Sequence, residues 1–513
     1  MRFFTCVMMV LLMAGLARGQ AVYQYAADAT TADGKAMRVW LWVPAKAERL
    51  RGVIVAGNAT SAEAMFCDAA ATRRVCEEEK LGIVYMNPHV DAMFDMKERK
   101  ADEALLKALE VIAEKSGYHE VKVAPLFFMG HSVSTVFASH AAARWRERCF
   151  GMMSHKGGVV VNDETIKGFV GVPIFASKGE YEEFGPVGPL RGFEDRTTAA
   201  KVMRETLVGL RKRGEEYLVS MLVEPGATHF PWARNAEEVH ALFLKKAAQA
   251  RIPEWEVDAK EPVTCKAVDA KRGTELEGLW NLDGEMAKAV MTFELPMKTK
   301  KQQLVTFADV KTGKAILPGH DLRLRFNPAW KGADEFEVAG MFLEEPTKKY
   351  PAIEGKLGRA EGEVQFMVYG GQVEQTAAKR FRVMFHPRRK FEMTILAYHP
   401  GDATYRHAEQ AAILRLARLK GGKAQTISFE KIEGLEVGRP VQLKATSDAG
   451  LPVRFYVESG PAVIEDGWLK VTEMPARMKG AMEVTVVAYQ FGSAVEPLVQ
   501  TAEDVRQTVM VGK

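Results

Sequence analysis

Phe127-Phe128-Met129-Gly130-His131-Ser132-Val133-Ser134-Thr135-Val136 sets a serine between a buried apolar run and a stretch rich in small residues. Leu126 to Met129 reads as a strand, and Ala138, Ala141, Ala142 and Ala143 belong to the helix that follows. A chain that turns from strand to helix within so few residues strains the serine backbone and lifts its hydroxyl above the sheet. Small residues two before and two after, Gly130 and Ser134, let the two elements approach closely. The helix N-terminus also offers backbone N–H groups, that of Val133 foremost, to a developing oxyanion. A serine at this junction can also act simply as a helix cap, so its partners decide the matter.

From about residue 36 to 250, short apolar runs alternate with helical patterns. Arg38–Val43, Gly52–Val55, Gly82–Met86, Leu126–Met129, Val172–Ala176 and Tyr217–Val223 read as strands, most of them apolar on both faces, as buried parallel strands are. Between them, Asp102–Ser116 carries Leu105, Leu109 and Ile112 on one stripe and stops at Gly117, and Thr197–Arg213 carries Val202, Leu207 and Leu210 and ends at Gly214. Asn235, with Glu238 three residues on, reads as the capping box of a third helix. Such alternation predicts an α/β layered sheet with right-handed crossovers.

A hydroxyl needs an imidazole within hydrogen-bond reach to act as a nucleophile. The candidate base is His229, in the loop Glu224–Phe230 directly after the last apolar strand, where parallel sheets place their chemistry. His155 is the rival, but it precedes the loop expected to supply the acid. His131 lies in the turn itself, and His140 and His240 fall on helices. The acid that orients the imidazole is expected after Val172–Ala176, where Ser177–Phe184 offers Glu180, Glu182 and Glu183. Glu182, three residues past Gly179, is the first choice and Glu180 the alternative. A second oxyanion donor is expected from a backbone N–H of Asn58 or Ala59, in the loop after Gly52–Val55, with Gly57 relieving crowding there. Phe230 and Trp232, beside the base, are candidates to line a substrate pocket or to pack the last helix onto the sheet.

These features together resemble the α/β-hydrolase superfamily, nearest its dienelactone-hydrolase-like and bacterial esterase-like branches. The resemblance covers about residues 36 to 252. It rests on Gly130-His131-Ser132, Gly179-Glu180-Tyr181-Glu182 and Gly226-Ala227-Thr228-His229, in nucleophile, acid, base order. Departures are Ser134 for a glycine, glutamate for the commoner aspartate, and Ala56-Gly57 where many relatives carry His-Gly. The resemblance implies ester hydrolysis through an acyl-enzyme, with no metal or organic cofactor and too short a gap between serine and acid for a large cap domain. Amide or peptide hydrolysis on the same residues is the second reading. The third is a non-catalytic surface or carbohydrate-binding protein with a decayed hydrolase domain, to which Ser134 lends some colour.

Past about residue 260 the helical stripe fades. Lys288–Phe293, Leu322–Phe326, Glu363–Val368 and Phe381–Phe385 read as alternating strands, interrupted by a helical patch at His407–Leu419 and a basic linker at Lys420–Lys423. The expected organisation is a leader at 1–19, an α/β domain at 20–258, a β-sandwich of unclear family at 259–422, and a second sandwich at 423–513. Within the last, Ala445–Val453, Val457–Ala462 and Val484–Gln490 resemble a bacterial immunoglobulin-like repeat, a module that serves as spacer or adhesive unit.

The chain has 513 residues, too many for one core. Met1-Arg2, the apolar run Phe3–Leu16 and Ala17-Arg18-Gly19 before Gln20 have the three-part layout of a secretory signal peptide. That run is short against the roughly 20 residues of a membrane span, so a secreted or periplasmic protein without a span is expected. Lys and Arg number 70 against 66 Asp and Glu, a balance that points away from nucleic acid or an anionic surface. Cys67, Cys76, Cys149 and Cys265 follow no metal-site spacing; Cys67 and Cys76 could pair or stay free. A secreted esterase with β-modules suggests an acylated polysaccharide or polymer as substrate.

Overall fold

The computed structural model describes residues 22–57, 61–90, 100–182, 199–230, 232–233, 235–256, 258–317, 324–325, 327–345, 355–386, 388, 392–478 and 480–512. The segment 1–19 expected to be a leader, and the expected oxyanion donors Asn58 and Ala59, lie outside these residues.

Eight strands form one sheet: β1 (Tyr25–Thr30), β2 (Ala36–Trp42), β3 (Gly52–Gly57), β4 (Leu81–Asn87), β5 (Leu126–His131), β6 (Cys149–His155), β7 (Ile174–Gly179) and β8 (Val219–Glu224). Their spatial order is β1-β2-β4-β3-β5-β6-β7-β8. The first two strands join antiparallel, and β4, β3, β5, β6, β7 and β8 run parallel. Every residue of β3, β5, β6 and β7 is buried, because helices cover both faces. Those helices are α1 (Ser61–Asp68), α2 (Ala70–Glu79), α3 (Ala101–Ser116), α4 (Ser134–Arg144), α5 (Asp163–Phe169), α6 (Ala199–Arg211) and α7 (Ala236–Arg251). Two apolar layers result, one on each face. Leu105, Leu109, Phe137 and Leu207 belong to one, and Phe66, Val75, Phe127 and Phe243 to the other. This is the α/β-hydrolase fold.

The helical stripes fall where their periodicity places them: Leu105, Leu109 and Ile112 are buried on α3, and Gly117 ends it at φ +73°. In α6 the buried residues are Ala199, Ala200, Met203, Leu207 and Leu210, with Val202 at the rim. The expected capping box of α7 is absent. Asn235 takes a left-handed φ of 65° with no side-chain cap, and the Glu238 carboxylate pairs with Arg74.

Beyond Ile252 the chain continues to pack on this sheet. Val263 and Cys265 bond back to Val123 and Glu147, and Leu279 and Trp280 enter the two apolar layers. Here the structure corrects the expectation of a strand at Lys288–Phe293. The segment lies inside helix α8 (Gly284–Thr299), capped by Asp283, whose carboxylate accepts from the Met286 N–H at 2.9 Å. Met286, Ala287, Val290 and Glu294 are its buried face, a spacing of one, three and four that short-range alternation concealed.

Residues after α8 form antiparallel sheets. One joins Gln365–Gly371, Glu392–His399 and Ala408–Arg415 around a core that includes Phe307, Phe336, Phe366 and Ile395. The expected helical patch at His407–Leu419 is thus a strand over Ala408–Arg415. Seven of its eight residues are buried, with Ala408, Ala412 and Leu414 facing one core and Ala411 the other. A strand buried on both faces has no period that separates it from a buried helix. Most of the strand expected at Leu322–Phe326 lies outside the described residues. From Ile427 to Val511, short antiparallel sheets enclose a smaller core of Ile432, Leu469, Val484 and Val486. Among the described residues, no helix is long and apolar enough to cross a membrane. Cys67, Cys76, Cys149 and Cys265 are all buried free thiols.

Candidate active site

The strand-to-helix turn has the strain its sequence implies. Ser132 stands between β5 and α4 with φ +54°, a left-handed conformation for a residue with a Cβ. Neighbours hold it there. The Ser132 N–H donates to His155 O at 3.1 Å, and its carbonyl accepts from the Thr135 N–H and the Thr135 hydroxyl. Two glycines make the approach possible. A Cβ on Gly130 would stand 2.4 Å from Ser134 O, and one on Gly157 would stand 2.4 Å from Ser132 O.

Ser134, the departure from the usual glycine, has its own partner. Its hydroxyl lies 2.5 Å from Oε1 of Glu63, a fully buried carboxylate on α1, and accepts from the His131 N–H at 2.7 Å. The Ser134 side chain therefore ties the turn to α1.

His229 Nε2 lies 2.9 Å from Ser132 Oγ, and His229 Nδ1 lies 2.7 Å from Glu182 Oε1. The carboxylate fixes the proton on Nδ1, which leaves Nε2 to accept from the serine hydroxyl. Glu182 is wholly buried, with Oε2 accepting from the Gly179 N–H at 2.9 Å and Oε1 lying 2.9 Å from Lys178 Nζ. Burial alone would raise its pKa. The Lys178 ammonium and the His229 contact outweigh it and hold the carboxyl at about 2. The other acid candidate faces elsewhere: Glu180 accepts from the Gly226 N–H and pairs with Arg406.

A second set of buried charges lies beneath the histidine loop. Lys156 Nζ donates to Thr228 O at 2.8 Å and pairs with Glu224 Oε2 at 3.0 Å, both side chains fully buried. Burial pushes Glu224 up to about 7 even with Lys156 beside it. The ligand atoms of His155, Glu224 and His240 lie within 4.8 Å of one another, a spacing that could suit a metal. Lys156, however, already supplies the cation that faces Glu224, and Ser177 Oγ sits between the imidazoles at 2.8 and 3.0 Å. Burial pushes the pKa of both imidazoles down, so they stay neutral. His155, the rival base, is stacked on Trp232 with ring centroids 3.5 Å apart and makes no contact with Ser132 through its ring.

Trp232 is therefore a core residue, not a pocket wall: it is 6% exposed and stacked between His155 and Phe66. Phe230 sits edge-on to His229 with centroids 4.7 Å apart and is only partly buried. Val133, at the N-terminal end of α4, is 54% exposed beside Ser132. The ring of His89 explains Gly57: a Cβ there would stand 2.2 Å from the imidazole.

Three neighbours were not singled out from the sequence. Nothing in the motif around Lys178 marks it, and Lys156 and Glu63 meet their partners only through the fold. The central strand β6 was missed as well, since Cys149-Phe150-Gly151-Met152-Met153-Ser154-His155 mixes a glycine and polar residues into its apolar run.

No protein-family model and no curated protein matches the chain. Solved structures align with less than half of the chain. Est1E from Butyrivibrio proteoclasticus is 14% identical, with 44% of this chain and 96% of that chain covered at a TM-score of 0.28. XC6422 from Xanthomonas campestris, described as an a/b serine hydrolase without lid, is 14% identical, covering 44% and 92% at 0.28. A Pyrobaculum calidifontis esterase is 15% identical, covering 45% and 87% at 0.31.

Proposed function

We propose that the chain is an exported serine hydrolase that cleaves carboxylic esters through an acyl-enzyme on Ser132. The observation that carries this is the relay Ser132 Oγ, His229 and Glu182, joined at 2.9 and 2.7 Å, on a serine held at φ +54°. Ser132 Oγ attacks the acyl carbon while His229 Nε2 takes its proton, and the imidazolium is stabilised by Glu182 through Nδ1–H. The tetrahedral oxyanion collapses, the ester C–O bond breaks, and His229 returns the proton to the leaving alkoxide. Water then attacks the acyl-enzyme, gives a proton to His229, and releases the carboxylic acid as the proton passes back to Ser132. The N–H of Val133 serves the oxyanion from the helix N-terminus, together with one from Asn58 or Ala59. Phe230 borders the acyl or alcohol side of the site. The intact relay supports catalysis over a decayed, purely binding protein.

The substrate we propose is an ester on an exported polysaccharide or polymer, reached after removal of the leader at Gln20. A fluorophosphonate probe on the purified full-length mature protein tests the chemistry, with the adduct mapped by mass spectrometry. Labelling confined to Ser132 and absent from Ser132→Ala is expected. Folded protein that takes up no probe would sink the proposal. A panel of esters, acylated glycans and amides then separates ester from amide hydrolysis.

A further inference from the structure

The two loops that carry Glu182 and His229 are held from outside the α/β sheet. Arg406 lies just before the strand Ala408–Arg415, in the antiparallel unit that follows α8, and its side chain is only 5% exposed. Its guanidinium forks onto Glu180: Nε donates to Oε2 at 3.1 Å and Nη2 pairs with Oε1. Nη2 also reaches the Tyr181 hydroxyl at 3.5 Å, while Nη1 donates to Lys300 O at 2.9 Å and so anchors the arginine on its own side. Glu180 Oε2 accepts in turn from the Gly226 N–H at 2.8 Å. One chain of charge-assisted bonds thus links the antiparallel unit, the acid loop two residues before Glu182, and the base loop three residues before His229.

The base loop is gripped at two points. Gly226 O accepts from the Glu409 N–H at 3.2 Å, and the contact is so close that a Cβ on Gly226 would stand 2.1 Å from His407 O. At the other end, the Tyr369 hydroxyl, from the strand Gln365–Gly371, accepts from the Trp232 N–H at 2.6 Å. His229 lies midway between these anchors. Both anchors and Arg406 belong to the same sheet or its adjoining loop.

We infer that this antiparallel unit is a positioning device for the catalytic loops, with Arg406 its principal positioning residue and Tyr369 its second. The inference rests on the serine hydrolase reading above. The relay tolerates little displacement: a shift of about 1 Å at a reacting group costs roughly 100-fold in rate. A bidentate guanidinium fixes direction as well as distance, which a lysine does not.

The test uses the full chain, with Arg406→Ala, Arg406→Lys and Tyr369→Phe assayed on a simple aryl ester and by fluorophosphonate labelling. For Arg406→Ala a fall in kcat of about 100-fold is expected, with KM near the wild-type value and the labelling rate of Ser132 falling in proportion. Arg406→Lys should recover part of that loss, since the charge opposite Glu180 returns without the fork. Tyr369→Phe should lose about five-fold, the weight of one neutral hydrogen bond. Should Arg406→Ala not fold, Arg406→Lys and Tyr369→Phe decide on the same readout. Folded variants that keep the wild-type kcat while Ser132 labels normally would overturn this inference and leave the hydrolase reading intact. Wild-type protein that never labels would remove the hydrolase reading, and this inference with it.

Discussion

Replacing Lys178 by methionine tests whether the buried ammonium beside Glu182 sets the working pH of the site. Its side chain is 7% exposed and Glu182 is fully buried, so solvent screening of the pair is weak. Lys178 Nζ and His229 Nδ1 contact the same carboxylate oxygen, at 2.9 and 2.7 Å. The ammonium keeps Glu182 ionised, at about 2, against a burial that would otherwise raise it. Removing it lets the carboxyl take up its proton at higher pH, and a neutral carboxyl no longer stabilises the imidazolium that forms during attack. The acidic limb of kcat/KM should therefore move toward neutrality. Methionine keeps the apolar stem, so packing changes little. Stability should fall by about 3–5 kcal/mol at neutral pH, because a buried carboxylate loses its cation. Ester hydrolysis followed between pH 4 and 9, with a denaturant titration alongside, measures both. A folded, active Lys178→Met whose acidic limb stays put would refute the electrostatic argument.

Two further perturbations probe the surrounding shell. Ser134→Ala removes a hydroxyl that lies 2.5 Å from the buried Glu63 carboxylate, and a bond to a charged group is worth about 2 kcal/mol; urea unfolding should register that loss, and a change below about 0.5 kcal/mol would show that the contact contributes little. Glu224, pushed up to about 7 by burial, binds its proton more tightly folded than unfolded, so its contribution is present below its ordinary pKa of 4.5 and is lost as pH rises through about 7. The wild type should lose about 3 kcal/mol over that interval through this group; Glu224→Gln should flatten the slope, and an unchanged pH–stability curve would contradict the assignment.

The α/β layers were legible because their runs are long and their periods distinct. Buried parallel strands such as Gly52–Val55 are uniformly apolar, and α3 repeats at helical spacing up to a glycine stop. The relay was legible in part for a topological reason: loops at the ends of parallel strands can be ordered from the sequence even when they cannot be folded. That order brings Ser132, Glu182 and His229 to one end of the sheet. What could not be read was which way a side chain points. Trp232 and Phe230 are two residues apart in one loop, yet one stacks on His155 in the core while the other borders the site. Nor could Glu180 be separated from Glu182, because the difference is Arg406, 226 residues away in sequence. Tertiary partners also override local pattern at Ala408–Arg415, buried on both faces by two separate cores.

The exchange of glycine for Ser134 shows what this turn requires. The close approach between β5 and α4 is met at Gly130, where a Cβ would collide with the Ser134 carbonyl at 2.4 Å. Position 134 carries a different constraint: a side chain there enters a fully buried environment, so a hydroxyl is tolerated only if it finds an acceptor. Glu63 Oε1 and the His131 carbonyl both provide one, at 2.5 and 2.8 Å, and Glu63 Oε1 also lies 3.4 Å from the His131 N–H. Ser134 and Glu63 thus share one buried cluster, and side chains in direct contact couple by about 0.5 kcal/mol or more: urea unfolding of Ser134→Ala, Glu63→Gln and the double variant should give non-additive losses, and strictly additive ones would show that the two act independently.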